Sequence, residues 1–170
     1  MVRVEHVLDN WKAVREDTIA AVTDFPAGEF GYRPTPDVMT FGEIARHILD
    51  AGDGLTGLLL AGEQVFGGPD FRERMKPHMR SLPGSPSPAD LGAAMRESVE
   101  QRSAALAAQS PEFFAQIVTR MDGQRVTRLE LLTMIKEHEL THRAQLFLYL
   151  RMKGLVPATT RRRLAKQAGK

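Results

Sequence analysis

The chain has no cysteine among its 170 residues. That excludes a disulfide framework, a thiolate-ligated zinc knuckle, an iron-sulfur cluster and a cysteine nucleophile. Any chemistry must use other side chains, and histidine and the carboxylates remain. Long apolar runs are missing too: the best, Leu55 to Ala61, is interrupted by Thr56 and Gly57 and falls far short of the roughly eighteen residues that cross a bilayer. The first residues, Met1 to Asn10, alternate charge with apolar side chains and lack the apolar block of a signal peptide. The expected setting is the cytoplasm. No repeat of solenoid period occurs, and the one biased tract is a short proline-rich stretch.

Acidic residues are absent from the last ten positions, where five of the 23 bases fall (Arg161, Arg162, Arg163, Lys166, Lys170). The net charge of +2 and the pI near 9.1 therefore belong to the end of the chain. Residues 1–160 hold the other 18 bases against 21 acids and are weakly acidic. A short basic end without interleaved aromatics or a recognition helix reads as a solvated, disordered tail, so a nucleic-acid partner is not expected. With 42% of its residues hydrophobic, the chain has enough apolar material for one domain with a sizeable core.

Four segments read as helices. Val4, Val7, Leu8, Trp11, Val14, Arg15, Thr18, Ile19 and Val22 recur at steps of three and four, one buried face of a helix that stops near Asp24, before Pro26 and Gly28. Thr40 with Glu43 forms a capping box that opens a second helix, running to about Gly62. Five prolines between Gly67 and Pro88 exclude continuous helix there, although a turn or two fits around Phe71 to Lys76. Ser87 then offers an N-cap with Pro88 at the first helical position, and this third helix runs to about Gln109. Asp122-Gly123, between Ile117-Val118-Thr119 and Arg125-Val126-Thr127, suggests a small hairpin. Thr127 with Glu130 is a second capping box, opening the longest helix, which lasts until Gly154 and Pro157. Four long helices joined by one long connection predict an all-α four-helix bundle over residues 1–157, with a basic tail over 158–170.

Along the last long helix, Leu131, Ile135, His138, His142, Gln145, Tyr149 and Met152 form a continuous stripe, interrupted by two histidines one turn apart. That spacing lets two imidazoles share a metal; the alternative is a pair of core histidines satisfied by hydrogen bonds. No His, Asp, Glu or Cys follows His142, so a third ligand must come from upstream. His47, beside the stripe Ile44, Ile48, Ala51, Leu55 and Leu58, is the natural third corner, because bundle metal sites are built from facing helices. His6, near the N-terminus, and His78, in the proline-rich connection, suit the role less. The segment His138-Glu139-Leu140-Thr141-His142 also fits the zinc-protease pattern. The remaining protease parts are missing: a third ligand downstream, a Met-turn, and a sheet edge to hold a peptide. Glu139 is either a base acting on a metal-bound water or a solvated or supporting carboxylate. Arg33, Arg143 and Gln145 are candidates for substrate contact or ordinary surface groups, and Phe66 with the segment Pro69 to Pro83 either covers the site or merely joins two helices.

Taken in order, the first helix, Tyr32-Arg33-Pro34, Thr40-Phe41-Gly42-Glu43-Ile44-Ala45-Arg46-His47-Ile48 and His138-Glu139-Leu140-Thr141-His142-Arg143-Ala144-Gln145-Leu146 resemble the DinB/YfiT-like family over about residues 1–157. The resemblance implies an up-down-down-up bundle, a homodimer, and a divalent metal on His47, His138 and His142. It implies as activity a thiol-dependent transferase or isomerase using a low-molecular-weight thiol, or a metal-dependent hydrolase, acting on a small molecule. The competing expectation is a metal-binding stress-response module without turnover. Three imidazoles leave coordination positions open, as a catalytic site requires, and suit zinc or nickel best, with iron or manganese also compatible. If thiol chemistry occurs, the sulfur must arrive with the substrate or cosubstrate, since the chain has none to offer as thiolate.

Overall fold

The computed structural model describes residues 3–169. In chain order its elements are α1 (Val4–Asp24), a 3-10 turn (Ala27–Glu29), α2 (Phe41–Leu60), α3 (Phe71–Met75), a second 3-10 turn (Lys76–His78), α4 (Pro88–Ala107), α5 (Pro111–Ala115), β1 (Ile117–Thr119), β2 (Arg125–Thr127), α6 (Arg128–Met152) and α7 (Ala158–Ala168). The starts of the long helices are fixed by side chains. Thr40 Oγ1 accepts from the Glu43 amide at 3.1 Å while Glu43 accepts from the Thr40 amide at 2.7 Å. Thr127 and Glu130 repeat the arrangement at α6, and Ser87 with Asp90 makes a third box at α4, an aspartate doing the work expected of a glutamate. α2 and α6 begin and end within two residues of the expected positions.

The core shows how the helices run. One apolar cluster joins Ile19 and Val22 of α1 to Ile44 of α2, Leu91 of α4 and Leu150 of α6. The other joins Val7 and Leu8 to Leu58, Leu106 and Leu131. The late part of α1 thus meets the early parts of α2 and α4 and the late part of α6, which is the up-down-down-up order. α1 packs on α4 and α6, and α2 packs on the same two, so consecutive helices α1 and α2 sit at opposite corners. α2 and α4 run parallel side by side, and a parallel pair needs a chain return the length of the bundle. Residues 61–87 supply it.

Between the two apolar clusters lies a polar layer in which Arg15, Thr18, Asp53, Thr56, Ser98 and Glu139 are all buried. Every one of these is paired. Ser98 Oγ donates to Asp53 Oδ1 at 2.8 Å, and the same carboxylate faces Arg80 and Arg102, each at 3.2 Å. Arg80 belongs to the return segment, so this buried carboxylate ties that segment to α2 and α4.

The return segment also packs unusually close to α2. A Cβ on Gly57 would lie 2.3 Å from His78 Cβ, and one on Gly54 would lie 2.6 Å from Met75 Cε. Glycine within a helix costs about 1 kcal/mol relative to alanine; here it lets α3 and the following turn lie against α2. Arg102 Nη2 donates to the His78 carbonyl at 2.6 Å and holds the turn from the other side.

Two elements depart from expectation. α5 is absent from the sequence reading although Ser110-Pro111 carries the same start signal as Ser87-Pro88; five residues are too few to show a periodicity. The basic end, expected to be a disordered tail, forms α7 along α1. Arg161 donates to Asp24 at 2.7 Å and Arg162 pairs with Asp17, so acids on α1 receive two of the tail's bases. No helix of the described residues is long and apolar enough to cross a membrane.

Replacing Gly57 with alanine should lower the melting temperature despite the better helix propensity, because the added methyl overlaps His78 Cβ. Gly28→Ala, whose Cβ meets nothing within 4 Å, should leave it unchanged or raise it slightly. Thermal melts of the two variants check both.

Candidate metal centre

His47 sits in the second turn of α2, and His138 and His142 lie one turn apart on α6, the antiparallel neighbour of α2. Their ring centroids are 4.9 Å (47–138), 4.7 Å (47–142) and 4.5 Å (138–142) apart. One ring nitrogen from each falls within 4.8 Å of the other two. His47 Nε2 and His138 Nε2 are 3.1 Å apart. Two such atoms either share a proton or share an ion, and ligands at about 2.0–2.1 Å from one metal lie roughly 3.0–3.4 Å from each other. The donor set, and the spacing of the His47–His138 pair, therefore fit a divalent ion. The three expected ligands converge; His6, exposed on α1, and His78, against Gly57, lie outside the group.

Supporting contacts fix the rings. His142 Nδ1 lies 2.7 Å from Gln145 Oε1, so Nδ1 carries the proton that it donates and Nε2 is left with a free lone pair. Gln145 is thus a ring-orienting group rather than a substrate contact. Arg143 is also accounted for: it donates to Asp17 at 3.2 Å and lies over the Phe147 ring. Arg33 is held near Pro36 and Glu43 at the start of α2.

Glu139 occupies the place that sequence reasoning left most open. It is 2% exposed and accepts four hydrogen bonds, each of 2.8 Å, from Trp11 Nε1, Arg15 Nε, Arg15 Nη2 and Thr18 Oγ1. Successive residues on a helix point about 100° apart. His138 and His142 face α2 while Glu139 faces α1. A carboxylate buried against α1 and saturated by four donors is neither a solvated group nor free to act as a base for a water at the histidines. It holds α6 in its rotation. Arg15 completes the centre of the bundle, its Nη1 reaching the Met95 carbonyl of α4 at 3.4 Å and its Nη2 lying 3.0 Å from where a Cβ of Gly52 on α2 would be.

His47 and His138 open onto a cavity of about 870 Å³ between the first half of α2 and the return segment. His47, His138, Arg46 and Asp50 form one wall; Phe71, Arg72, Met75 and Met79 form another. The return segment therefore builds the site as well as joining two helices. Of the cavity's charged groups, Arg46 is paired with Asp50 at 2.7 Å and Lys76 with Glu73 at 2.7 Å. Burial pushes the Asp50 carboxyl up, against the opposing pull of Arg46. Burial, with the neighbouring His142 and His47, pushes His138 down to about 4. Burial, His142 and Arg72 likewise lower His47. Both imidazoles are therefore neutral at ordinary pH, the form in which a histidine binds a metal.

A family model described as the DinB superfamily matches residues 10–146. The chain belongs to the DinB superfamily. No curated protein matches it in sequence. Among solved structures it resembles a DinB-like protein, YjoA, from Bacillus subtilis, with a TM-score of 0.68 and 20% identity over 88% of this chain and 92% of that one. YfiT from Bacillus subtilis, described as a probable metal-dependent hydrolase with an unusual four-helix bundle topology, gives 0.64 and 18% over 87% and 88%. A mycothiol-dependent maleylpyruvate isomerase gives 0.63 and 18% over 85% of this chain but only 61% of its own length. At these identities the likeness establishes the shared DinB fold.

Two outcomes follow from the buried groups. Glu139→Gln strips Arg15 of its counter-charge inside the bundle, and denaturant unfolding should show a loss of about 3–5 kcal/mol, as for one partner of a buried ion pair. The metal-free protein should lose stability as the pH falls from about 6.5 toward about 4. In that window the unfolded His138 binds a proton that the folded one refuses, so stability is fully present above the unfolded value and declines below it. Melting curves across this range check the sign, and His138→Ala should flatten the slope.

Proposed function

We propose that this DinB protein is a metalloenzyme in which His47, His138 and His142 hold a divalent ion, zinc or nickel, and in which a small-molecule substrate enters the cavity beside them. The observation that carries the reading is a group of three imidazoles, two of which, His47 and His138, stand on the wall of a cavity of about 870 Å³. A metal serving only to brace the fold would be closed off by a fourth protein ligand; here no cysteine exists and no further His, Asp or Glu joins the group among the described residues.

Such an ion, when bound, supplies a positive charge that favours the deprotonated form of a water or thiol presented to it. The chain's own residues do the rest. Gln145 sets the tautomer of His142, Glu139 and Arg15 set the rotation of α6, and burial keeps His47 and His138 unprotonated. The return segment supplies the facing wall of the cavity. Within this reading the reaction is a thiol-dependent transfer or isomerisation, with a low-molecular-weight thiol as cosubstrate, or a hydrolysis. The structural likeness to a mycothiol-dependent isomerase and to a probable metal-dependent hydrolase supports both. A cytoplasmic setting and a homodimer belong to the same reading, and Leu148 and Met152, one turn apart on α6 and each more than half exposed, offer apolar surface for a second copy.

Purified protein should carry close to one metal ion per chain, and His138→Ala should remove both the metal and any turnover. A conjugation assay across several low-molecular-weight thiols, run beside a panel of ester and amide substrates, separates the two chemistries. Protein that stays metal-free when prepared without chelators contradicts the reading. Full metal occupancy with no turnover on either panel would favour the stress-response module.

A further inference from the structure

A second, smaller cavity of about 210 Å³ adjoins the large one. The two share Leu55, Phe71, Met121 and His138 as lining residues, so they meet at one of the metal-binding histidines. Beyond that junction the walls are apolar: Phe66, Leu131, Met134 and Ile135. Met134 and Ile135 precede His138 on α6 by four and three residues, which places them one helical turn below it on the same side. Its only charged residues are Arg120 and Asp122, which pair with each other at 2.9 Å and so present no free charge to a ligand.

We infer that this side pocket receives an apolar group of the substrate, a phenyl ring or short alkyl chain, and holds it against His138 while the polar remainder lies in the large cavity. The inference rests on the metalloenzyme reading and narrows its substrate class to small molecules with a hydrocarbon arm next to the reacting atoms. Size decides the kind of group. An apolar cavity of about 150 Å³ takes a benzene molecule, so 210 Å³ accommodates one ring or a chain of about six carbons. Chemistry decides its polarity, because a charged or hydrogen-bonding group pushed among Phe66, Leu131 and Ile135 would find no partner. The large cavity, with Arg46, Asp50, Arg72 and Glu43 on its walls, is the compartment for polar groups.

The pocket is tested with the cobalt-loaded protein and a series of n-alkanethiols from ethanethiol to octanethiol, read by the sulfur-to-cobalt charge-transfer band. Affinity should rise about fourfold per methylene and level off near six carbons. Met134→Trp, which fills the pocket from α6, should bring the plateau to shorter chains, and Met134→Ala should move it to longer ones. A band of equal strength at every chain length, or a series that neither variant shifts, would overturn the inference while leaving the metal centre standing. Failure to load cobalt would remove the metal centre itself and the inference with it.

Discussion

The Glu139 carboxylate, buried at the middle of the bundle, is the contact on which the site depends. It takes four hydrogen bonds from three residues of α1, and the Arg15 guanidinium that supplies two of them reaches on to α4 and occupies space left open by Gly52 of α2. All four long helices meet around this one ion pair. Because Glu139 is adjacent to His138, its attachment to α1 leaves α6 a single rotation, in which His138 and His142 turn toward α2 and His47. A buried ion pair contributes little net stability over a hydrophobic equivalent. Its value here is geometric: a bundle of leucines alone would tolerate small rotations of α6, whereas four donors around two oxygens do not.

The second requirement is space in front of the histidines. In an up-down-down-up bundle the return between two parallel helices must run the full length of the molecule, and this chain turns that necessity into a wall. Gly54 and Gly57 let α3 and its following turn approach α2 closely, while Asp53, Arg80 and Arg102 pin the same stretch through a buried carboxylate. Arg74 secures the entry to the segment, donating to Glu63 at 2.9 Å and to the Gly67 carbonyl at 2.7 Å. The outcome is a cavity with His47 and His138 on rigid helices and the opposing side chains on a strapped loop, an arrangement that keeps the imidazoles fixed and leaves the facing wall open to variation.

Much of this was legible before any coordinates. Hydroxyl residues three positions ahead of acids marked the helix starts, and the four-three spacing through His138 and His142 placed the two histidines on one face of α6, since helical periodicity converts directly into direction. His47 required one further step, that α2 and α6 face each other. The orientation of Glu139 was not accessible in the same way. A helical wheel places it 100° from His138, but whether that direction meets water, the metal or another helix depends on the order of helices around the bundle, and the decisive partners, Trp11 and Arg15, lie more than 120 residues away. The cavity was hidden for a related reason: proline-rich sequence has no periodicity from which packing can be read, and its closeness to α2 is recorded only in the glycines of the facing helix. The basic end was misjudged because composition alone carries no information about Asp17 and Asp24, the acids that receive it.

In the proposed centre, three imidazoles from two facing helices, and no other protein group, hold one divalent ion at the edge of the cavity. X-ray absorption at the edge of the bound metal measures this directly. The expected first shell has three imidazole nitrogens at about 2.0–2.1 Å for zinc, completed by light atoms from solvent. A shell with two imidazoles or fewer, or one completed by a protein carboxylate, would contradict it.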